Sequence, residues 1–180
     1  MRGGPARFRL SVTPAEAMID LPRRIEVTGL VPDSLVAITA RTRRSDGVLW
    51  ESRARFMADA EGAVDLTRDA PVGGDYSMVA PMGLIWGQHP LDWPGGEVFA
   101  DDVMVPLRTA LTAETDDGQQ AQAELIQHFA APGVIRREIR EEGLVGTLFT
   151  PPGPGPHPVV MVLNGSGGGI NEARGALLAS

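Results

Sequence analysis

The chain of 180 residues contains no cysteine, and all 16 of its basic residues are arginine. Without cysteine these residues hold no disulfide, no thiolate metal site and no cysteine nucleophile. No apolar run approaches the ~20 residues that cross a bilayer, so we expect no membrane span. The net charge of −7 leaves no basic stripe to neutralise phosphates, which argues against nucleic acid as a partner. Because no apolar leader follows Met1, we expect a cytoplasmic protein.

Glycine and proline are abundant, at 22 and 15 residues, and 43% of the chain is apolar. This composition favours a packed core with many turns and short strands. Apolar and polar residues alternate over 35–43 and 49–57 around Ser45-Asp46-Gly47, a hairpin signal. Similar short alternating segments recur from residue 8 onwards. The first hundred residues therefore predict a β-sandwich.

Three segments between residues 67 and 130 need a separate interpretation. Residues 103–115 alternate like a strand, whereas residues 119–130 fit a helical face as well as a strand face. The turn signal Asp116-Asp117-Gly118 between them favours two paired strands. Residues 67–100 form a long Pro- and Gly-rich stretch, which we expect to be either an Ω-like plug of the sandwich or a functional loop.

The chain changes character at Ala131-Pro132-Gly133, which we interpret as a boundary between domains 1–131 and 132–180. The second part contains, in order, a hairpin with strands 134–140 and 144–149, a Pro-rich loop at 151–158, an apolar strand at 159–163, a glycine loop at 164–169 and a helix from about 170. Each proline of 151–158 lacks an N–H and restrains its predecessor, so this loop is neither helix nor sheet. The order is that of the start of an α/β enzyme domain.

The glycine loop after the apolar strand has several interpretations. It lacks the Lys-Ser/Thr of a phosphate loop, and Ile170 stands where a dinucleotide fingerprint has its third glycine. Ser166 would be the nucleophile if the loop were a nucleophile elbow. A further interpretation is a tight turn with no catalytic role. The order of elements favours an oxyanion-hole loop, in which backbone N–H groups face a developing negative charge. The candidate residues are Gly165, Ser166, Gly167, Gly168 and Gly169.

Other chemistry-bearing residues are less informative. His89, His128 and His157 lie in different predicted elements, so we expect no metal site. The pairs Asp101-Asp102 and Asp116-Asp117 are typical of solvated turns. Glu172 and Arg174 in the last helix either clamp it to the β domain or face water.

Several of these segments together resemble the acyl-CoA thioesterase and bile acid-CoA:amino acid N-acyltransferase family. The resemblance rests on Leu10-Ser11-Val12-Thr13-Pro14, Pro81-Met82-Gly83-Leu84-Ile85-Trp86, Ala131-Pro132-Gly133-Val134, the 146–156 stretch, Gly165-Ser166-Gly167-Gly168-Gly169 and the following helix. It implies a mainly β chain, with an immunoglobulin-like β-sandwich followed by the first strands and first helix of an α/β-hydrolase domain. It also implies that Met82, Leu84 and Trp86 form a substrate or interdomain loop.

The resemblance further implies acyl-CoA hydrolysis to a fatty acid and CoA, or acyl transfer to an amine, with acyl-CoA as substrate and no cofactor. The family acts through a Cys or Ser nucleophile, an Asp and a His, whose positions would lie beyond Ser180. No triad residue is therefore assigned here, and we expect no turnover by this chain alone. We also expect self-association through the exposed edge of an incomplete sheet. The competing hypothesis is a non-catalytic, immunoglobulin-like interaction module.

Overall fold

The computed structural model describes residues 7–44, 47–92, 102–166 and 168–180. These residues are mainly β, as the sequence predicts, and Trp93, Asp101, Gly167 and the turn residues Ser45 and Asp46 lie outside them. The strands are β1 Arg9–Thr13, β2 Glu16–Met18, β3 Arg24–Thr28, β4 Leu35–Arg43, β5 Leu49–Met57, β6 Val64–Asp65, β7 Gly73–Gly74, β8 His89–Pro90, β9 Leu107–Thr115, β10 Gln120–His128, β11 Ile135–Glu141 and β12 Leu144–Thr150. The helices are α1 Gly83–Trp86 and α2 Glu172–Leu178.

Two sheets enclose the main core. One has the order β1-β3-β6, and the other has the order β2-β10-β9-β4-β5-β7 with β8 also paired to β5. Ile25, Ile38, Phe56 and Leu111 from both sheets are fully buried between them. This arrangement is consistent with the predicted β-sandwich, in which alternate side chains of each strand face the core.

The predicted strand bounds agree closely with the structure where alternation is strong. β4 and β5 begin and end at the predicted residues and pair antiparallel from Leu35 opposite Met57 to Arg43 opposite Leu49. The ambiguous segment is a strand: β10 pairs antiparallel with β9, from Gln120 opposite Glu114 onwards. The parallel pairing of the short β2 with β10 was not predicted, because three residues are too few for a periodic signal.

The predicted strand over 103–115 begins later than expected, at Leu107. The Val105 amide instead donates to the carbonyl oxygen of Asp102 at 3.1 Å, which forms a turn. Pro106 then has no N–H to give to a ladder, so regular pairing begins only after it. Val103 is nevertheless buried, because the turn directs it into a second, smaller core.

The predicted strand over 159–163 is wrong as a description of this structure. The segment has no regular secondary structure and pairs with no strand among the described residues. Val159, Met161 and Leu163 are 91%, 80% and 79% exposed. Apolar periodicity marks a chain that can join a sheet, but a strand exists only where a partner ladder satisfies its backbone groups.

The last part of the chain is joined to the sandwich by the second core. That core consists of Val103, Phe129, Ala130, Val134, Ala176 and Ala179, with further apolar side chains packed against it. The hydroxyl of Ser180 accepts a hydrogen bond from the Ala131 amide at 2.8 Å. α2 therefore packs both on the β11–β12 hairpin and on residues next to the sandwich.

Candidate functional site

The glycine loop lies between the apolar segment 159–163 and α2, and it is closed by local hydrogen bonds. The Gly168 amide donates to the carbonyl oxygen of Gly165 at 3.0 Å. The side-chain amide of Asn164 donates to the carbonyl oxygen of Gly168, also at 3.0 Å. These two bonds form a tight turn in which one of the candidate N–H groups is already used.

The backbone of the turn requires glycine at its end. Gly168 and Gly169 have φ angles of 69° and 83°, in the left-handed region that L side chains rarely adopt. A Cβ added to Gly168 would meet nothing within 4 Å. Glycine is therefore favoured at position 168 by its backbone angle, and not by crowding from neighbouring atoms.

Three of the other candidate residues, Gly165, Ser166 and Gly169, lie in the described part of the loop, and Gly167 lies outside it. Gly165, Ser166 and Gly169 are exposed, and within the described residues their N–H groups have no acceptor. The Ser166 hydroxyl likewise has no hydrogen-bond partner within the described residues. Within the described residues, the loop thus combines exposed backbone donors with a turn closed by its own hydrogen bonds.

The helix that follows the loop is fixed by a charged network. Asn171 caps α2 by accepting a hydrogen bond from the Arg174 amide at 3.2 Å. Glu172 accepts two bonds from the Arg136 guanidinium, at 2.8 and 2.7 Å, and one from the Thr147 hydroxyl at 2.7 Å. The bonds from Arg136 hold the pKa of Glu172 below its usual value, although partial burial opposes them and Thr147 adds to them.

For Glu172 the structure matches neither of the two predicted roles, because Glu172 clamps α2 to the β11–β12 hairpin and not to the β domain. Arg174 is exposed, as the second interpretation expects. The sequence alone did not identify Arg136 and Thr147 as the partners of Glu172. They lie 36 and 25 residues away, and nothing in their local pattern distinguishes them from other arginines and threonines.

The three residues of the predicted interdomain loop occupy different environments. Met82 and Leu84 are 5% and 0% exposed and belong to the main core. The hydroxyl of Ser52 donates to the carbonyl oxygen of Leu84, which fixes α1 against β5. Trp86, at the end of α1, is 71% exposed. Of the three, Trp86 has the side chain most available for a contact outside the sandwich.

Each histidine has a different partner. His128 Nε2 lies 2.7 Å from Glu16, His89 lies 4.0 Å from Asp75, and His157 lies 3.3 Å from the carbonyl oxygen of Gly153. In the described ranges no three His, Asp or Glu side chains converge as metal ligands. Over the same ranges, none of the helices has the length and apolar character that crossing a bilayer demands.

Comparison with known proteins identifies the family. The model described as the acyl-CoA thioester hydrolase/BAAT N-terminal region matches residues 20–141. The chain belongs to this family. The resemblance drawn from the sequence motifs is therefore confirmed, and the matched region covers most of the sandwich together with β11.

Several named thioesterases are similar to this chain over most of its length. It is 42% identical to acyl-coenzyme A thioesterase 1 of Rattus norvegicus over 176 residues, covering 94% of this chain and 42% of that protein. It is 41% identical to mitochondrial acyl-coenzyme A thioesterase 2 of Mus musculus, covering 94% and 39%. It is 39% identical to the peroxisomal succinyl-coenzyme A thioesterase of Mus musculus, covering 94% and 42%. The chain thus spans about two-fifths of the length of these relatives.

Proposed function

We propose that the protein containing this chain hydrolyses acyl-CoA thioesters, and that the glycine loop supplies its oxyanion donors. The observation that carries the proposal is the set of open amides at Gly165, Ser166 and Gly169, on a turn built from glycines, in a chain of this family. The similar proteins named above are thioesterases, which supports the same reaction class.

The reaction would proceed through a tetrahedral intermediate. A nucleophile attacks the thioester carbonyl, charge develops on its oxygen, CoA leaves as the thiol, and water releases the fatty acid. Each well-placed backbone donor lowers the barrier by about 3–4 kcal/mol. The proposal assigns no nucleophile, acid or catalytic histidine to these 180 residues, and it requires no cofactor.

The sandwich would contribute to substrate access. We propose that Trp86 lies near the entrance for the acyl group or CoA, because it is exposed on a helix that the core holds in place. A Trp86→Ala change in the gene-encoded protein should alter acyl-chain preference without unfolding the sandwich. An unchanged acyl-chain preference in the folded variant would contradict this role.

The main test is thiol release by the protein that the gene encodes. We expect free CoA from acyl-CoAs of several chain lengths, and no turnover by the 180-residue chain alone. Gly168→Ala should lower kcat about 100-fold, because left-handed φ is lost and the donors shift. Gly118→Ala is the matched control, since its φ is 86° and its Cβ also meets nothing. Activity that survives Gly168→Ala at the control's level would refute the loop's role.

The same assay separates the alternatives. Adding an amino acid and analysing the product by mass spectrometry distinguishes hydrolysis from N-acyl transfer. A gene-encoded protein that folds yet neither releases thiol nor transfers the acyl group would favour the immunoglobulin-like interaction module. We also propose a cytoplasmic location for this protein, although one relative is named as mitochondrial and another as peroxisomal.

A further inference from the structure

The side chain of Asn164 lies across the glycine loop. Asn164 directly follows the apolar segment 159–163, and its Nδ2 donates to the carbonyl oxygen of Gly168 at 3.0 Å. Only the NH2 end of a carboxamide can face a carbonyl oxygen, so this partner fixes which way the side chain is turned. The same nitrogen lies 3.6 Å from the position of a Cβ built on Gly169. Asn164 is therefore adjacent to both residues of the Gly168–Gly169 peptide.

This contact orients the N–H of Gly169 as well as the carbonyl that it binds. The carbonyl of Gly168 and the N–H of Gly169 belong to one planar peptide unit, which is trans, so the two groups point in opposite directions. With the carbonyl bound by Asn164, the N–H is directed away from that side chain. Gly169 is exposed, and its N–H has no acceptor within the described residues.

The backbone of this peptide has little other support. Gly168 and Gly169 have φ angles of 69° and 83°, and glycine leaves such a conformation at little steric cost. A Cβ on Gly168 would meet nothing within 4 Å, so packing does not restrain the peptide there. Among the described side chains, the one that donates to it is Asn164. The direction of the Gly169 N–H therefore depends on that hydrogen bond.

The N–H of Ser166 is oriented in a different way. The carbonyl of Gly165, in the same peptide unit, accepts the Gly168 amide at 3.0 Å. That bond joins two main-chain groups, and a side-chain substitution does not delete it. Of these two exposed donors, Gly169 is thus the one whose orientation depends on a side chain, and a substitution of Asn164 tests it separately.

The loop is also held from the side of α2. Gly169 stands two residues before Asn171, whose side chain caps the helix by accepting the Arg174 amide at 3.2 Å. Glu172 then ties α2 to the hairpin through two bonds from Arg136. The peptide therefore lies between a docked helix and the side chain of residue 164. A donor fixed in this way before the reaction does not have to reorganise when charge develops on an oxygen.

We propose that Asn164 is a positioning residue for acyl-CoA hydrolysis, because its side chain holds the Gly169 N–H as an oxyanion donor. This inference rests on the proposed function, in which the loop amides stabilise the negative oxygen. Asn164 acts through the Gly168–Gly169 peptide and is assigned no contact with the substrate. Its loss lowers the affinity for the transition state and leaves the affinity for the substrate unchanged.

The test makes the same substitution at both asparagines of the chain, in the protein that the gene encodes. Asn164→Asp removes the donor, whereas Asn171→Asp keeps an oxygen that caps the helix. We expect Asn164→Asp to lower kcat about fivefold to tenfold with KM unchanged, as for one lost hydrogen bond. Asn171→Asp adds the same charge near the loop and should change kcat less than about twofold. Asn164→Ala removes the donor without adding charge and should lower kcat about fivefold.

Two inhibitors separate positioning from a structural role. A trifluoromethyl ketone analogue of acyl-CoA forms a tetrahedral adduct with a negative oxygen, whereas a thioether analogue has no carbonyl oxygen. Asn164→Ala should weaken binding of the ketone about as much as it lowers kcat/KM, and it should leave binding of the thioether unchanged. Hydrogen exchange of the Gly175 amide should also be unchanged, which shows that α2 stays docked.

Unchanged kcat in both Asn164 variants would overturn the inference, and so would equal losses in Asn164→Asp and Asn171→Asp. A change confined to KM, or faster exchange in α2, would indicate a structural role and would overturn it too. If the natural protein releases thiol and Gly168→Ala lowers kcat while Asn164→Ala does not, only this inference fails. If the natural protein releases no thiol, the proposed function fails and this role fails with it.

Discussion

Replacing Glu172 by glutamine should loosen α2 from the hairpin without unfolding the sandwich. The glutamate carboxylate accepts two hydrogen bonds from Arg136 and one from Thr147, all within 2.8 Å. Glutamine has nearly the same shape but no charge, and only one of its two terminal atoms can accept. The change therefore removes the charge-assisted part of the clamp and leaves the packing of the helix intact.

The expected loss of free energy depends on how exposed the Arg136–Glu172 pair is. Hydrogen bonds to charged groups contribute about 1.5–3 kcal/mol when well buried, whereas exposed ion pairs contribute about 0.2–1 kcal/mol. The side chains of Arg136 and Glu172 are 32% and 19% exposed, so solvent screening places the loss at about 1 kcal/mol. This free energy corresponds to about a fivefold larger population in which α2 is undocked.

Amide hydrogen exchange measures that population directly. The amides of Gly175 and Ala179, which donate within α2, should exchange about five times faster in the Glu172→Gln protein. Amides of β4 should not change, because the sandwich core is not touched. The matched control is Glu124→Gln, which removes an exposed pair with Arg108 at 2.8 Å. Unchanged exchange in α2, or equal acceleration in β4, would refute the reasoning.

Acid should have the same effect on the natural protein. Since the pKa of Glu172 is lowered in the fold, its contribution to stability is complete above the ordinary pKa of a glutamate. It is lost as the pH falls through the lowered folded value, where the carboxylate gains a proton. Exchange of α2 amides, corrected for the intrinsic rate, should accelerate over that range in the natural protein and stay flat in Glu172→Gln. Identical pH profiles would contradict the clamp.

Three further outcomes are expected. Phe56→Ala should lower the free energy of unfolding by about 3–5 kcal/mol in urea, because the ring is fully buried in the main core. Gly62→Ala should cost at least about 2 kcal/mol, since its Cβ would lie 2.1 Å from the carbonyl oxygen of Leu30 at a φ of 71°; Gly118→Ala, with open space, should cost less. The 180-residue chain should self-associate in sedimentation equilibrium through the exposed 159–163 segment, and glutamates placed there should abolish association.

The sequence predicted elements well where one face of a strand is buried. β4 and β5 were located to the residue, because period-two alternation over nine residues has no competing interpretation. The prediction failed at 159–163, where the apolar run was read correctly as a strand-like segment but no partner ladder is present. At the hairpin, the predicted strand 134–140 begins and ends one residue before the observed β11, Ile135–Glu141, which is the usual precision of a boundary set by a turn.

The candidate site was predicted only in part. The glycine run located the loop, because consecutive glycines permit the left-handed backbone seen at Gly168. The motif placed Met82, Leu84 and Trp86 together, but burial separates them, with Trp86 outside and the others in the core. Such a separation depends on which face of a four-residue helix meets the sheet, and four residues carry too little periodicity to decide it.

By itself, the sequence determined the β-rich class, the paired strands, the glycine turn and the family, since all of these depend on local pattern or on direct residue matches. Only the tertiary structure decided that Arg136 and Thr147 hold Glu172, and that Oε1 of Gln127 is buried with no donor among the described groups. These are relations between residues far apart in the chain. They are fixed by how the sheets and α2 pack, and no local pattern records them.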